Sequence, residues 1–261
     1  MTEANEADAA AMIWDAWCAG RKLDSLPPPL RPKDRAHAYA AQAGLPRASG
    51  QLVVGWKIAA TSAAGQKHIN VAGPLAGRLL ETKVLPDGMA GPLANNVMMV
   101  AEAEFAFRMG RDLPKRDRPY TVDEVLAAVA TLHPTIEVPD SRFRDFTAVG
   151  AEQLIVDAAC AGWFFIGDAA PDRWRDIDLA AHAATVYKNG RPVAQGTGAN
   201  VLGDPRLALT WLANEVAEFA GGLRNGDIVS TGTCVVPVPV RPADQLIADF
   251  GELGRVHARL V

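Results

Sequence analysis

From about Gln51 onward the sequence breaks into short apolar runs, LVVGWKIAAT, RLLETKV, NVMMVAEAEFAFRMG, WFFIGD, ATVYKNGRPV and DIVSTGTCVV, punctuated by glycine and proline. Runs this short and this rich in branched and aromatic side chains suit a pleated, half-buried surface, so the chain must build most of its core from sheet. Two helices with clear start signals interrupt it. Thr121 and Glu124 form a capping-box pattern ahead of VLAAVATL, and Asp204-Pro205 precedes LALTWLANEVAEFA, which ends at Gly221-Gly222. Asn189-Gly190, between ATVY and RPV, predicts a type I′ hairpin turn. Before Gln51 the texture is helical. Ala9, Ile13, Trp14 and Trp17 recur at helical spacing up to Gly20, Pro27-Pro28-Pro29 stops that helix, and a second is expected from about Lys33 to Ala43, closed by Gly44 and Pro46. Residues 1–50 therefore read as an N-terminal helical cap on a β-rich region spanning 51–261.

Composition narrows the function classes. At 261 residues, 49% apolar and 21% charged, the chain can bury a large core without disulfides or structural metal. A net charge of −4 with scattered cations lacks the basic footprint of nucleic-acid binding. The opening MTEANEADAA carries three acids before any apolar run, unlike a secretory signal, and no run of about 18 apolar residues predicts a membrane span. Cys18, Cys160 and Cys234 are odd in number and never form a CxxC pair, which fits a reducing, cytoplasmic setting. The apolar content, the six tryptophans and the stretch NNVMMV predict subunit contacts and a homo-oligomer.

The chemistry concentrates in VAEAEFAF. Alternation along a strand puts Glu102, Glu104 and Ala106 on one face and Ala103, Phe105 and Phe107 on the other. Two carboxylates on one buried face repel unless a cation neutralises them, and hard divalent ions prefer such oxygen ligands. A solvated sheet face would account for the pair equally well. Glu137, in the apolar run TLHPTIEVPDSRF, adds a third acid from a second strand, enough for a metal site with open positions. A Glu137–Arg142 ion pair would explain the same pattern without a metal. Lys57 in GWKIAATS is flanked by Trp56 and Ile58, so its ammonium either meets an anion or lies on a solvated face. Ser230, Thr231 and Gly232 in GDIVSTGTC offer hydroxyls and a permissive backbone to a small carboxylate or carbonyl. His37, His68, His133, His182 and His257 form no HExxH or HxH pair, and the nucleophile-elbow, dinucleotide and P-loop motifs are absent.

Taken together, GWKIAATS, GPLAGRLL, VAEAEFAFRMGRDLP, TVDEVLAAV, PTIEVPDSRF, NGRPVAQGTGANVLGDPRLALTWLAN, GDIVSTGT and FGELGRV resemble, in order, the 2-keto-4-pentenoate hydratase and 4-oxalocrotonate decarboxylase group of the fumarylacetoacetate hydrolase superfamily. The resemblance implies an α+β fold, with a small N-terminal helical part and a mixed β-rich, β-roll or barrel-like catalytic domain over 51–261. It implies that Glu102, Glu104 and Glu137 ligate Mg²⁺ or Mn²⁺. Lys57 would contact the acidic end of the substrate, and Ser230 or Thr231, with Gly232, would line the pocket. The implied activity is a lyase adding water to a 2-hydroxy-2,4-dienoate to give a 4-hydroxy-2-oxo acid. Its alternatives are decarboxylation of a 4-oxalocrotonate-type diacid, or a weakly active metal-binding subunit of a hydratase–decarboxylase complex with a partner enzyme. Hydrolysis of a 1,3-diketo acid is a further reading that wants a histidine base, for which His68 is the candidate. Members of the group commonly carry an acid where this chain has Thr82, leaving a shifted Glu81 as the catalytic carboxylate, and an asparagine where it has Ala158.

Overall fold

Capping side chains set the N-terminal helices in the computed structural model, which describes residues 2–261. The Thr2 hydroxyl accepts from the Asn5 amide at the start of α1 (Glu3–Cys18), and Asp34 accepts from the His37 amide at the start of α2 (Arg35–Gln42). Gly44 and Pro46, expected to close the second helix, do more. Pro46 occupies the first turn of α3 (Leu45–Ser49), where its missing N–H costs nothing, so it opens a helix rather than ending one.

The chain continues through β1 (Val53–Ala59), α4 (Ala63–His68), β2 (Leu75–Leu80), β3 (Val84–Pro86), β4 (Ala90–Gly91), β5 (Val100–Met109) and β6 (Leu113–Pro114). Next come α5 (Val122–Leu126), β7 (Val129–Val138), α6 (Ala151–Val156) and β8 (Trp163–Ile166). The remainder is β9 (Ala183–Lys188), β10 (Arg191–Thr197), α7 (Pro205–Phe219), β11 (Gly222–Leu223), β12 (Ile228–Thr233), β13 (Val238–Pro239), β14 (Gln245–Asp249) and β15 (Arg255–Leu260). The capping box at Thr121 and Glu124 forms in both directions, and Asp204 caps α7 with Pro205 in its first turn. Asn189 and Gly190 turn the β9–β10 hairpin with φ of 53° and 79°, the two left-handed residues that a type I′ turn requires.

An eight-stranded mixed sheet runs β2-β1-β12-β5-β7-β8-β3, with β13 also paired to β5. Within it β1–β12 and β3–β8 are parallel and the other neighbours antiparallel. A five-stranded sheet, β10-β9-β14-β15-β4, lies against one side of β5 and β7. Phe105 packs there on Phe250 at 4.7 Å between ring centroids, and Phe107 on Trp174 at 5.7 Å. That packing uses one pleat face of β5 and leaves the face carrying Glu102 and Glu104 turned the other way.

The helical N-terminus shares a continuous apolar core with the sheets. Buried Gln42 ties them together: its amide donates to the carbonyls of Ala76 and Ile155 at 3.0 and 2.6 Å and accepts from Arg78 at 2.8 Å. No helix among the described residues is long and apolar enough to cross a membrane.

Candidate metal centre

The register of β5 against β7 sets Glu102 directly opposite Glu137, with Glu104 two residues further along the same face. One oxygen from each of the three carboxylates lies within 4.8 Å of the others. Glu104 and Glu137 are fully buried and Glu102 is half-buried. Like charges set across a strand pair are destabilising by themselves, so this convergence needs neutralising.

Part of it comes from Lys57 on β1. Its buried ammonium reaches Glu137 Oε1 at 3.1 Å and donates to the Ala159 carbonyl at 3.1 Å. Of the two readings open for Lys57, an anion partner is therefore found, and that partner is Glu137. Arg142, the other candidate partner for Glu137, pairs instead with buried Asp157. Its guanidinium also donates to the Ala161 carbonyl at 2.6 Å and lies 3.8 Å over the Trp17 ring.

Glu104 is held from β12. A register shift between Ser230 and Thr233 brings both the Ser230 hydroxyl and the Gly232 amide onto Glu104 Oε2, the latter at 3.0 Å. Gly232 has a φ of 102°, and a Cβ there would sit 2.1 Å from Thr61 Oγ1, so only glycine can present its amide this way. The expectation that Ser230 and Thr231 grip substrate is therefore corrected. Ser230 is committed to Glu104, and Thr231 donates to the Phe105 carbonyl at 2.9 Å, while Gly232 alone of the three lines the cavity.

After these contacts Glu104 Oε1 and Glu137 Oε2 remain buried without a polar partner among the described residues, and Glu137 Oε1 has only the Lys57 ammonium. Three carboxylates against one ammonium leave a charge of −3 + 1 = −2 when all are ionised. Orphaned, converging oxygens with that charge fit a divalent cation, and no other cluster of three acidic, histidine or cysteine side chains among the described residues offers such a seat. Without a cation, burial pushes all three carboxyls up from their ordinary values, with neighbouring carboxylates adding to the rise in Glu104 and Glu137 and Lys57 opposing it. Glu137 is pushed up to about 7. The same carboxylates hold the Lys57 ammonium above its usual value despite its burial.

A cavity of about 530 Å³ opens from this cluster. Lys57, Glu102 and Gly232 line it, with Cys160, Asn200 and His68 and a largely apolar remainder. Burial pushes the Cys160 thiol up to about 12, so it stays protonated and inert. The wall also takes in Thr61, which no motif announces, and Met98 and Val100 from the stretch expected to make subunit contacts. Val100 was signalled by the same two-residue period that placed Glu102 and Glu104.

Glu81 is not part of the cavity. It lies exposed in a 3₁₀ turn, Glu81–Lys83, where Oε1 accepts from the Leu52 amide at 3.3 Å. Thr82 is exposed as well and donates to Gln51 Oε1 at 2.6 Å. The expected role of Glu81 as a catalytic carboxylate is corrected accordingly, because β2 ends before it and turns the residue outward. Glu81→Gln should change kcat/KM by no more than about twofold, as surface changes usually do, and a tenfold loss in steady-state assays would contradict this placement. His133, four residues before Glu137 on the same pleat face of β7, lies further along the strand, is bonded to Thr131 and the Gly167 carbonyl, and does not line the cavity.

Residues 59–261 match the family described as fumarylacetoacetate (FAA) hydrolase, C-terminal. The chain belongs to that family. It is 35% identical over 255 residues to a 2-keto-4-pentenoate hydratase of Burkholderia vietnamiensis, covering 97% of this chain and 96% of that protein. It is 34% identical to the 2-hydroxyhexa-2,4-dienoate hydratase of Comamonas testosteroni, with 89% of each covered. Among solved structures, the 4-oxalocrotonate decarboxylase from Pseudomonas putida G7, complexed with magnesium and adipate, superposes with a TM-score of 0.89 at 28% identity. That match covers 100% of this chain and 99% of the other. The α+β, β-rich architecture expected of a fumarylacetoacetate hydrolase family member is the one this chain adopts.

Proposed function

We propose that this chain is a divalent-metal-dependent lyase, using Mg²⁺ or Mn²⁺, that hydrates a 2-hydroxy-2,4-dienoate to a 4-hydroxy-2-oxo acid. The observation that carries the reading is the Glu102–Glu104–Glu137 cluster, with buried, partnerless oxygens on Glu104 and Glu137, beside an open cavity whose wall Glu102 and Lys57 line. Full-length similarity to hydratases that act on such acids supports it. A divalent ion held by the three carboxylates supplies Lewis-acid stabilisation of negative charge developing on a 2-oxo acid.

The chain's own groups prepare that site. Ser230 and Gly232 fix one oxygen of Glu104, leaving the other free to ligate. Lys57 orients Glu137 and supplies positive charge on the side where an acidic substrate end must enter. With Glu81 outside, His68 is the one ionisable side chain among the described residues lining the cavity that is neither in the acid cluster nor a buried thiol or ammonium. It is assigned to proton exchange with the substrate, a role histidine suits.

The similarity to a diacid decarboxylase favours one second reading, loss of CO₂ from a 2-oxo diacid. Both reactions pass through the same stabilised anion, so the carboxylates serve either. The test incubates purified protein with Mg²⁺ and 2-hydroxypenta-2,4-dienoate and follows the dienol absorbance. Magnesium-dependent loss of the signal is expected. An unchanged trace from metal-loaded protein would refute the hydratase reading.

The raised carboxyl values give a pH prediction with a definite sign. Metal binding must displace protons from these groups, so magnesium affinity should rise as pH passes through about 7, where Glu137 loses its proton. Between pH 6 and pH 8 calorimetry should find about a tenfold gain from Glu137 alone, and a pH-independent affinity would contradict it. Stability of the metal-free protein should move the other way. A carboxyl whose folded value lies above its unfolded value favours the folded state while protonated, and that contribution is lost as pH rises from 4.5 through about 7.

A further inference from the structure

Resting on the function just proposed, the structure assigns the apolar outer part of the cavity, built on Val100, Met98, Val235 and Val236, as a subsite for an uncharged alkyl or aryl tail. The chain accordingly prefers monocarboxylic 2-oxo and 2-hydroxydienoic acids longer than five carbons and discriminates against the corresponding dioates.

The pleat of β5 lays out the subsite. Glu104 and Glu102 face the cluster, and the same two-residue period places Val100 next on that face, with Met98 just beyond the strand. Both are half-buried and both line the cavity. The loop after β12 brings Val235 and Val236 to the same wall, and Val236, at 79% exposure, is the most exposed large apolar side chain of the described residues. A path therefore runs from the carboxylates outward over aliphatic carbon. The cavity volume of about 530 Å³ falls within the roughly 300–1,000 Å³ of pockets that enclose drug-sized ligands, more room than a five-carbon acid uses.

Charge sharpens the preference. Among the described residues, Lys57 is the only lysine or arginine on the cavity wall, and it is already engaged by Glu137 and the Ala159 carbonyl. His68 is the sole other group able to carry positive charge there. A second carboxylate carried outward by a dioate would leave water for aliphatic surface, with Glu102 the nearest fixed charge of its own sign along β5. An alkyl tail in the same place gains about threefold to fourfold in affinity per buried methylene.

The test uses the full chain loaded with magnesium and titrates it calorimetrically with 2-oxopentanoate, 2-oxooctanoate and 2-oxooctanedioate. The eight-carbon monoacid should bind at least about tenfold tighter than the five-carbon acid, and the dioate no tighter than the five-carbon acid. Val236→Lys, at a position too exposed to endanger folding, should strengthen dioate binding by about fivefold and weaken binding of the eight-carbon monoacid. A dioate that binds wild type as tightly as 2-oxooctanoate, or a monoacid series flat with length, would overturn the subsite. Hydration of 2-hydroxypenta-2,4-dienoate by the same sample separates the two levels. Turnover with a flat series removes the subsite alone, whereas failure to take up magnesium or to bind any of the three acids removes the reading of the site, and the subsite with it.

Discussion

Glu104→Gln is expected to abolish magnesium binding and to lower kcat/KM at least about a thousandfold, because Lewis-acid stabilisation of the developing anion contributes several kcal/mol. The substitution preserves shape. A glutamine carbonyl can still accept from the Gly232 amide and the Ser230 hydroxyl that now hold Oε2. What disappears is a buried negative charge beside Glu102 and Glu137, the charge whose burial and like-charged neighbours push its carboxyl well above the ordinary value. The metal-free variant should therefore unfold at the same temperature as wild type or a higher one near pH 8. Activity and stability thus move in opposite directions, as expected where ligands are held in an environment that disfavours them without a cation. A variant that keeps metal-dependent turnover, or that loses activity merely by unfolding, would contradict this account.

The largest stability effect belongs to a pair outside the cluster. Asp157 accepts from the Ser141 hydroxyl at 2.7 Å and pairs with Arg142, both partners being almost completely buried. Asp157→Ala should cost about 3–5 kcal/mol by stranding the guanidinium without its counter-charge, lowering the melting temperature by roughly 10 °C. The damage should also reach the cavity. Asp157 precedes Ala158, Ala159 and Cys160, three non-glycine residues with φ of 50°, 50° and 62°. Left-handed backbone costs such residues roughly 1–2 kcal/mol each, so the turn persists only because its surroundings hold it. It is this turn that aims the Ala159 carbonyl at the Lys57 ammonium. Combining Asp157→Ala with Arg142→Met should recover part of the loss, since removing both charges leaves none unpaired. Thermal unfolding of the single and double variants checks this, and a single variant within 1 °C of wild type would refute it.

Much of this site was legible before the fold was known, for one reason. A strand alternates its faces, so two acids at Glu102 and Glu104 in an apolar run must converge, and Glu137 in a second apolar run is the natural third. The capping pairs and the Asn189-Gly190 turn were legible because their chemistry is local. What the sequence hid depends on pairing between distant strands. That Ser230 and Gly232 serve Glu104 follows from a bulge that exists only once β12 lies beside β5. That Arg142 belongs to Asp157 and not to Glu137 follows from where the segment after α6 returns to the sheet. Glu81 misled for a related reason: its position along the chain is close to that of a useful acid, but one turn beyond the end of β2 directs it to solvent. Pro46 carried the same ambiguity in miniature, since a proline can end one helix or open the next.

The most direct measurement is a crystal structure of the protein soaked with Mn²⁺, with anomalous scattering used to place the ion. A single strong peak is expected, within bonding distance of one carboxylate oxygen from each of Glu102, Glu104 and Glu137. No peak at that cluster in manganese-saturated crystals, or an ion bound elsewhere while the three carboxylates stay free, would contradict it.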